Sequence, residues 1–341
     1  MHAPQQSKRD QAAEARSFLP RLEAMRGYAA VSVLAFHACM LSWSMIAGGM
    51  APVVVFFVLS GFLLGRSLER DPDPVTFIRH RLFRLLPAAI VTVLLLTLAY
   101  RIFGFYVGYL PSFEPLNVIL NALLIKSDIN GVMWSLTVES VAVPVILLAH
   151  ALLGSRGRGA AWILVVVLIA ISSWGPYVHL LGGFTNLSPL YAFIVGLLVQ
   201  AGGPTSISKW RQARLNTLAV SVFVVLVVVA IRKQTAITIF IETVCASVLI
   251  WIAAFGPMKL PAMRPFDLWI ARFYGQISYS FYLVHMAALT LAARLLPDVH
   301  PPLERAAILF VAGLLITTPA AWLMWRLVEV PFIRLGRLAG R

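Results

Sequence analysis

Between residues 27 and 327, apolar runs of near-membrane length alternate with short polar segments. A helix rises 1.5 Å per residue, so about 20 mostly apolar residues cross a hydrocarbon core about 30 Å thick. Ten runs are candidates: 27–46, 50–66, 87–106, 132–153, 160–181, 186–201, 215–231, 236–255, 274–296 and 304–327. The second and sixth are short, and Gly182-Gly183 ahead of the sixth predicts a tilt or a break. Pro87 is placed to open the third run as a first-turn residue. The pattern predicts an all-α integral membrane protein, a polytopic bundle of about ten transmembrane helices. Residues 1–26 form an N-terminal segment, 27–327 the transmembrane domain and 328–341 a tail. The longest outer connection, about 107–131, contains Pro111, Pro115, Asn117, Asn121, Asp128 and Gly131, and is expected to fold back as a re-entrant or interfacial piece.

Composition agrees. Of 341 residues, 60% are hydrophobic and only 12% charged, against about 25% charged in soluble domains, and the mean hydropathy is +0.85. The net charge of +14 does not indicate nucleic acid, because Lys and Arg sit in short clusters between apolar runs. With the N-terminus inside, inner segments carry 22 basic residues and outer segments 6. That asymmetry places both termini in the cytoplasm and favours an even number of spans. No A-x-A pattern follows the first run, which reads as an uncleaved span. Cys39 and Cys245 fall inside apolar runs, with no disulfide framework and no CxxC pair. Walker A, HExxH and GxSxG motifs are absent, so nothing supports ATP coupling or zinc hydrolysis, and neither a metal nor a resident cofactor is expected.

Ionisable groups within spans are costly and are functional candidates by default. His37 follows Arg26 by eleven residues, three turns along one helix face and about 16 Å deeper. It is expected to face a polar cavity near the midplane, where an imidazole can act as a general base. Glu139, in Trp134-Ser135-Leu136-Thr137-Val138-Glu139, either orients an imidazole or pairs with an arginine. Arg81 and Arg84 share a face and suit phosphate or pyrophosphate, unless they only anchor the inner side. Ser278, Tyr279, Tyr282 and His285 make a polar stripe expected to face the bundle, with hydrogen bonding between helices as the simpler role. Glu329 is expected in a helix-end ion pair, and Ser60-Gly61 as a small patch for close helix approach.

These residues also carry a resemblance. Leu22-Glu23-Ala24-Met25-Arg26-Gly27-Tyr28 with His37, Phe56-Phe57-Val58-Leu59-Ser60-Gly61-Phe62, Arg81-Leu82-Phe83-Arg84-Leu85-Leu86-Pro87, the Trp134–Glu139 run, Ile277-Ser278-Tyr279-Ser280-Phe281-Tyr282-Leu283-Val284-His285 and Glu329-Val330-Pro331-Phe332 follow one another as in the membrane acyltransferase 3 family. The sequence resembles that family's stand-alone form, without the C-terminal hydrolase-like domain many members carry. The resemblance implies a bacterial inner-membrane O-acyltransferase. The acyl group, acetyl by expectation, would pass from cytoplasmic acyl-coenzyme A to a hydroxyl of a cell-surface glycan, a lipopolysaccharide or exopolysaccharide sugar or a related metabolite, with a glycan or lipid-linked sugar as the acceptor partner. It implies His37 as the catalytic residue of an Arg-x10-His pattern with Arg26, and Arg81 and Arg84 in donor binding; from the residues themselves, Glu139 is expected to join His37 in catalysis, and Arg26, Tyr282 and His285 to bind substrate. Two other functions compete: a proton-coupled permease for a lipid-linked sugar or small anion, which would use the same buried His and Glu as a proton relay, and a scaffold in a glycan-assembly complex. The permease consumes no thioester, and the scaffold tolerates loss of His37.

The charge asymmetry makes a prediction. Reporter fusions at residue 112 should read outside, and those at 157, 262 and the C-terminus inside. A C-terminal reporter active on the outer face would overturn the orientation.

Overall fold

The computed structural model describes residues 3–43, 48, 50–174, 187–204, 207, 210–296 and 301–339, with side chains from Pro20 onward except at residues 173 and 174. The helices are α1 (Ala3–Ser42), α2 (Ala51–Arg70), α3 (Pro74–Phe103), α4 (Pro115–Ala122), α5 (Trp134–Arg156), α6 (Arg158–Trp174), α7 (Leu190–Gly202), α8 (Gln212–Ala230), α9 (Ala236–Phe255), α10 (Trp269–Gln276), α11 (Ser278–Leu295), α12 (Pro302–Met324) and α13 (Val330–Leu338). Short 3₁₀ turns occupy Gly131–Met133 and Pro261–Asp267, and a π turn, Trp325–Glu329, joins α12 to α13. Among the described residues there are no strands. This is a polytopic helical bundle. Among the described residues, seven helical stretches are long and apolar enough to cross a membrane, α6 and α7 contribute shorter apolar helices, and α11, over the ninth expected run, is a less apolar helix with its polar stripe buried. The Gly182-Gly183 break lies outside the described residues.

Three boundaries depart from expectation. α1 is already helical before residue 27, and its apolar portion begins at Pro20. α3 starts at Pro74 and not at Pro87, which sits inside the helix. Asp73 caps α3 by accepting from the backbone N–H groups of Val75 and Thr76. Hydrogen bonds from Thr76, side chain first, hold the Asp73 carboxyl below its usual range. With that cap in place the helix nucleates upstream, and a proline costs it one internal hydrogen bond without ending it. Residues 328–341, expected as a tail, instead continue through the end of the π turn into α13, which packs on α3.

α1 and α2 form the centre. α1 packs against α2, α9, α10, α11 and α12, and α2 against α5, α7, α8 and α9. α8 is peripheral, with Phe223, Val224, Val227 and Val228 on its outer face, where lipid replaces protein as the apolar solvent. Segments that the charge pattern assigns to one side do meet at one end. Arg21 is buried and bonds to Asp267, Pro257 and Met258, Arg79 donates to the Gly336 carbonyl, and Gln212 to that of Lys259. At the other end Arg294 donates to the Tyr106 carbonyl and Arg101 to that of Phe113. The expected fold-back is α4, whose Asn117 and Asn121 both donate to Asp128, at 2.9 and 2.6 Å.

The tightest crossing, α2 on α7, is reciprocal. A Cβ at Gly61 would strike the Phe193 backbone carbonyl, and one at Gly196 the Val58 carbonyl. Without a hydrophobic drive between helices in lipid, such backbone approach supplies the packing attraction. Gly→Ala inside an exposed helix normally stabilises by about 0.5–1 kcal/mol. Here Gly61→Ala and Gly196→Ala should each destabilise, by about 1–3 kcal/mol from overpacking. Unfolding in detergent measures this, and a rise in midpoint for either variant would contradict the packing.

Candidate active site

A cavity of about 290 Å³ opens among α1, α2, α3, α5, α11 and α13. Its basic groups are Arg26, His80, Arg81, Arg84 and Arg337, and its one acid is Glu139. Ser60, Ser135, Ser278, Tyr279 and Tyr282 add hydroxyls, and Phe56 and Phe57 an apolar wall. Arg81 and Glu139 are ion-paired within it, with side chains only 9% and 14% exposed. Ser60 Oγ donates to the same carboxylate oxygen at 3.1 Å. The sequence left Glu139 two partners, and the structure selects the arginine. One-sided burial of either charge would cost several kcal/mol, so the pair fixes both side chains where they are.

Other cationic groups in the cavity have spare donors. Arg26, Arg84 and Arg337 make no hydrogen bond or ion pair among the described residues, and the Nε of Arg81 is buried without a partner. Ser278 Oγ is likewise buried and unpartnered. Arg26 and Arg84 act electrostatically on each other and on Glu329. Glu329 corrects an expectation. It is not in a helix-end ion pair but 3% exposed inside the bundle, accepting from Ser280 Oγ at 3.0 Å. The π turn ends on Glu329, and such turns are frequent at functional sites. The available signal was Pro331, which has no N–H to complete the preceding turn.

Behind Tyr282 lies a histidine dyad. His285 is completely buried, and its Nε2 is 3.1 Å from His37 Nδ1, with ring centroids 5.0 Å apart. His285 Nδ1 lies 2.7 Å from the Tyr282 carbonyl and His37 Nδ1 lies 3.0 Å from the Val33 carbonyl. A carbonyl only accepts, so both Nδ1 atoms carry hydrogen in the neutral rings. The His37 Nδ1–H is then shared between Val33 and the bare Nε2 of His285. That leaves the His37 Nε2 lone pair with no partner among the described residues, the atom a general base needs.

Tyr282 joins the two halves. It lines the cavity, packs on Phe56 with centroids 6.3 Å apart, and lies 5.4 Å from the His285 ring. Its hydroxyl accepts from Ser135 Oγ and donates to the Val132 carbonyl, each at 2.9 Å. The sequence-derived candidates therefore gather at one locus: Arg26, Arg81, Arg84, Glu139 and Tyr282 on the cavity wall, and His37 and His285 one aromatic ring beyond. His37 faces His285, not the open cavity. Ser60, Ser135, Glu329 and Arg337 were not among the candidate site residues. Among the described residues no group of three His, Cys, Asp or Glu side chains is placed to hold a metal ion.

The pair carries a stability prediction. Glu139→Leu strands Arg81 and should cost about 3–5 kcal/mol, whereas the double replacement Arg81→Leu/Glu139→Leu should recover most of the loss. Unfolding midpoints of the two variants decide it, and additive losses would refute the pairing as the source of the cost.

Known proteins give the same reading by a separate route. A protein of Komagataeibacter xylinus bearing the name membrane-bound transacylase BcsY is 40% identical over 78 residues, 22% of this chain and 19% of its own length. Proteins bearing the name O-acetyltransferase in Staphylococcus aureus strains COL and MSSA476 are 22% identical across 94% of this chain. The chain spans 58% of the length of those staphylococcal relatives. No solved structure matches. A family model described as an acyltransferase domain matches residues 19–326, which include every motif described above except the closing Glu329–Phe332. The chain belongs to the acyltransferase 3 family.

Proposed function

We propose that this chain is an O-acyltransferase that moves an acyl group, acetyl in the simplest case, from acyl-coenzyme A to the hydroxyl of a surface glycan or lipid-linked sugar. The supporting observation is the juxtaposition of an arginine-lined cavity with an oriented histidine base. Arg26 and Arg84 present unpaired guanidinium groups suited to the donor's pyrophosphate. The flexible arm that carries the thioester then reaches toward Tyr282 and the dyad.

In the transfer step the acceptor oxygen attacks the thioester carbonyl carbon while His37 Nε2 takes its proton. A C–O bond forms and the C–S bond breaks. The thiolate leaves with the bonding pair and recovers the proton from His37, so the products are an ester and free coenzyme A. His285 acts as a positioning residue, because its Nε2 accepts from His37 Nδ1–H and holds the ring in the tautomer with Nε2 bare. The donor enters from the cytoplasmic side, at the end where Arg21, Arg79 and the start of α3 gather.

Purified protein supplied with acetyl-coenzyme A and cell-envelope glycans should release coenzyme A, read with a thiol reagent. A permease would release none. His37→Gln keeps hydrogen-bonding capacity but cannot take up a proton, and should slow release by about 10²–10⁴ while still binding acetyl-coenzyme A. Release at the wild-type rate from His37→Gln would end the mechanism.

A further inference from the structure

The cavity's exposure is graded. Among these three basic groups Arg81 is the most buried, at 8% exposed, His80 is half-buried, and Arg337 on α13 is exposed. The mouth therefore lies where α13 meets α3. Two contacts fix α13 there: Gly336 packs so closely on Phe83 that a Cβ would clash with its side chain, and Arg79 Nε donates to the Gly336 carbonyl at 3.2 Å. Ile333 and Arg337 are four residues apart, so they share the helix face that lines the cavity. Arg337 has no hydrogen-bond or ion-pair partner among the described residues, and the cavity's one acid, Glu139, is held by Arg81. The matched family region ends at residue 326, so Arg337 is not carried over from any family motif.

We propose that Arg337, with His80 lining the same cavity, forms a second phosphate subsite at the cavity mouth, and that it reads the ribose 3′-phosphate of the coenzyme A donor. This rests on the coenzyme A reading above and adds to it. The donor must enter thioester first for its carbonyl to approach the dyad. Its nucleotide end then stays at the mouth, with the pyrophosphate between the two, beside Arg26 and Arg84. Coenzyme A carries its third phosphate on that nucleotide, outermost of all, where the guanidinium of Arg337 lines the cavity. A chain that bound a donor with a plain pyrophosphate would have no ligand for Arg337.

The test compares acetyl-coenzyme A with acetyl-3′-dephospho-coenzyme A, binding each to the full chain in nanodiscs by calorimetry. Wild-type protein should prefer the first by about tenfold, the scale of one charge-assisted contact at a partly solvated site. Arg337→Gln should bring the ratio of the two Kd values close to one. Arg84→Gln should weaken both donors and leave the ratio standing. Using the ratio within each variant cancels any loss of folded protein. Arg334→Gln, on the same helix but outside the cavity lining, should keep the wild-type ratio. The subsite is refuted if wild type does not discriminate, if Arg337→Gln still does, or if Arg334→Gln erases the ratio equally. If wild type binds neither donor, the coenzyme A reading itself falls.

Discussion

A charge packed among apolar helices has little water to screen it, and the Arg81–Glu139 pair is how this bundle satisfies that constraint at its cavity wall. The pair ties α3 to α5, and Ser60 brings α2 to the same carboxylate. Three helices are thereby held at separations that leave a cavity between them. Because Glu139 neutralises Arg81, the remaining guanidinium groups of Arg26 and Arg84 keep donors to spare. A buried ion pair is weak evidence for stability in itself, since a hydrophobic replacement often does as well. Here its structural effect is to keep polar groups around a space that apolar packing would fill.

The histidine dyad depends on the same helices at one remove. α11 presents Ser278, Tyr279, Tyr282 and His285 along one side. Tyr279 donates to the Leu85 carbonyl at 2.5 Å, so α11 is registered against α3 one turn from Arg81. Asn130 donates to the Leu283 carbonyl at 2.9 Å and ties α11 to the connection that leads into α5. The chemistry of the His37 ring is thus set by backbone carbonyls in α1 and α11, whose positions follow from helix packing.

Much of this was legible in the chain. Lipid forces long apolar runs, so each of the ten expected spans corresponds to a helix, and the depth of His37 below Arg26 follows from helix rise alone. What escaped was long-range and local in turn. His37 and His285 are 248 positions apart, and no periodicity indicates that their rings touch. Glu139 had two chemically reasonable partners, and only the packing of α3 against α5 decides between them. Reading Pro87 as a helix start placed Arg81 on the membrane surface, whereas the Asp73 cap starts the helix earlier and carries Arg81 inside. In the sequence Glu329 reads as an end-of-helix charge, because a π turn leaves almost no trace there beyond the following proline.

That π turn has a consequence for the azimuth of everything after it. An α-helix advances about 100° per residue, so the wider turn at Trp325–Glu329 accommodates one extra residue and offsets the phase of α13 relative to α12. Side chains after the turn point where a continuous α-helix would place their neighbours. The direction in which Glu329, Ile333 and Arg337 face is therefore a property of the backbone between Trp325 and Glu329. Lengthening or shortening that stretch by one residue would rotate the terminal helix by about 100° as a unit, like changing the start point of a screw thread, and would carry Ile333 and Arg337 off the cavity-facing side without altering either residue.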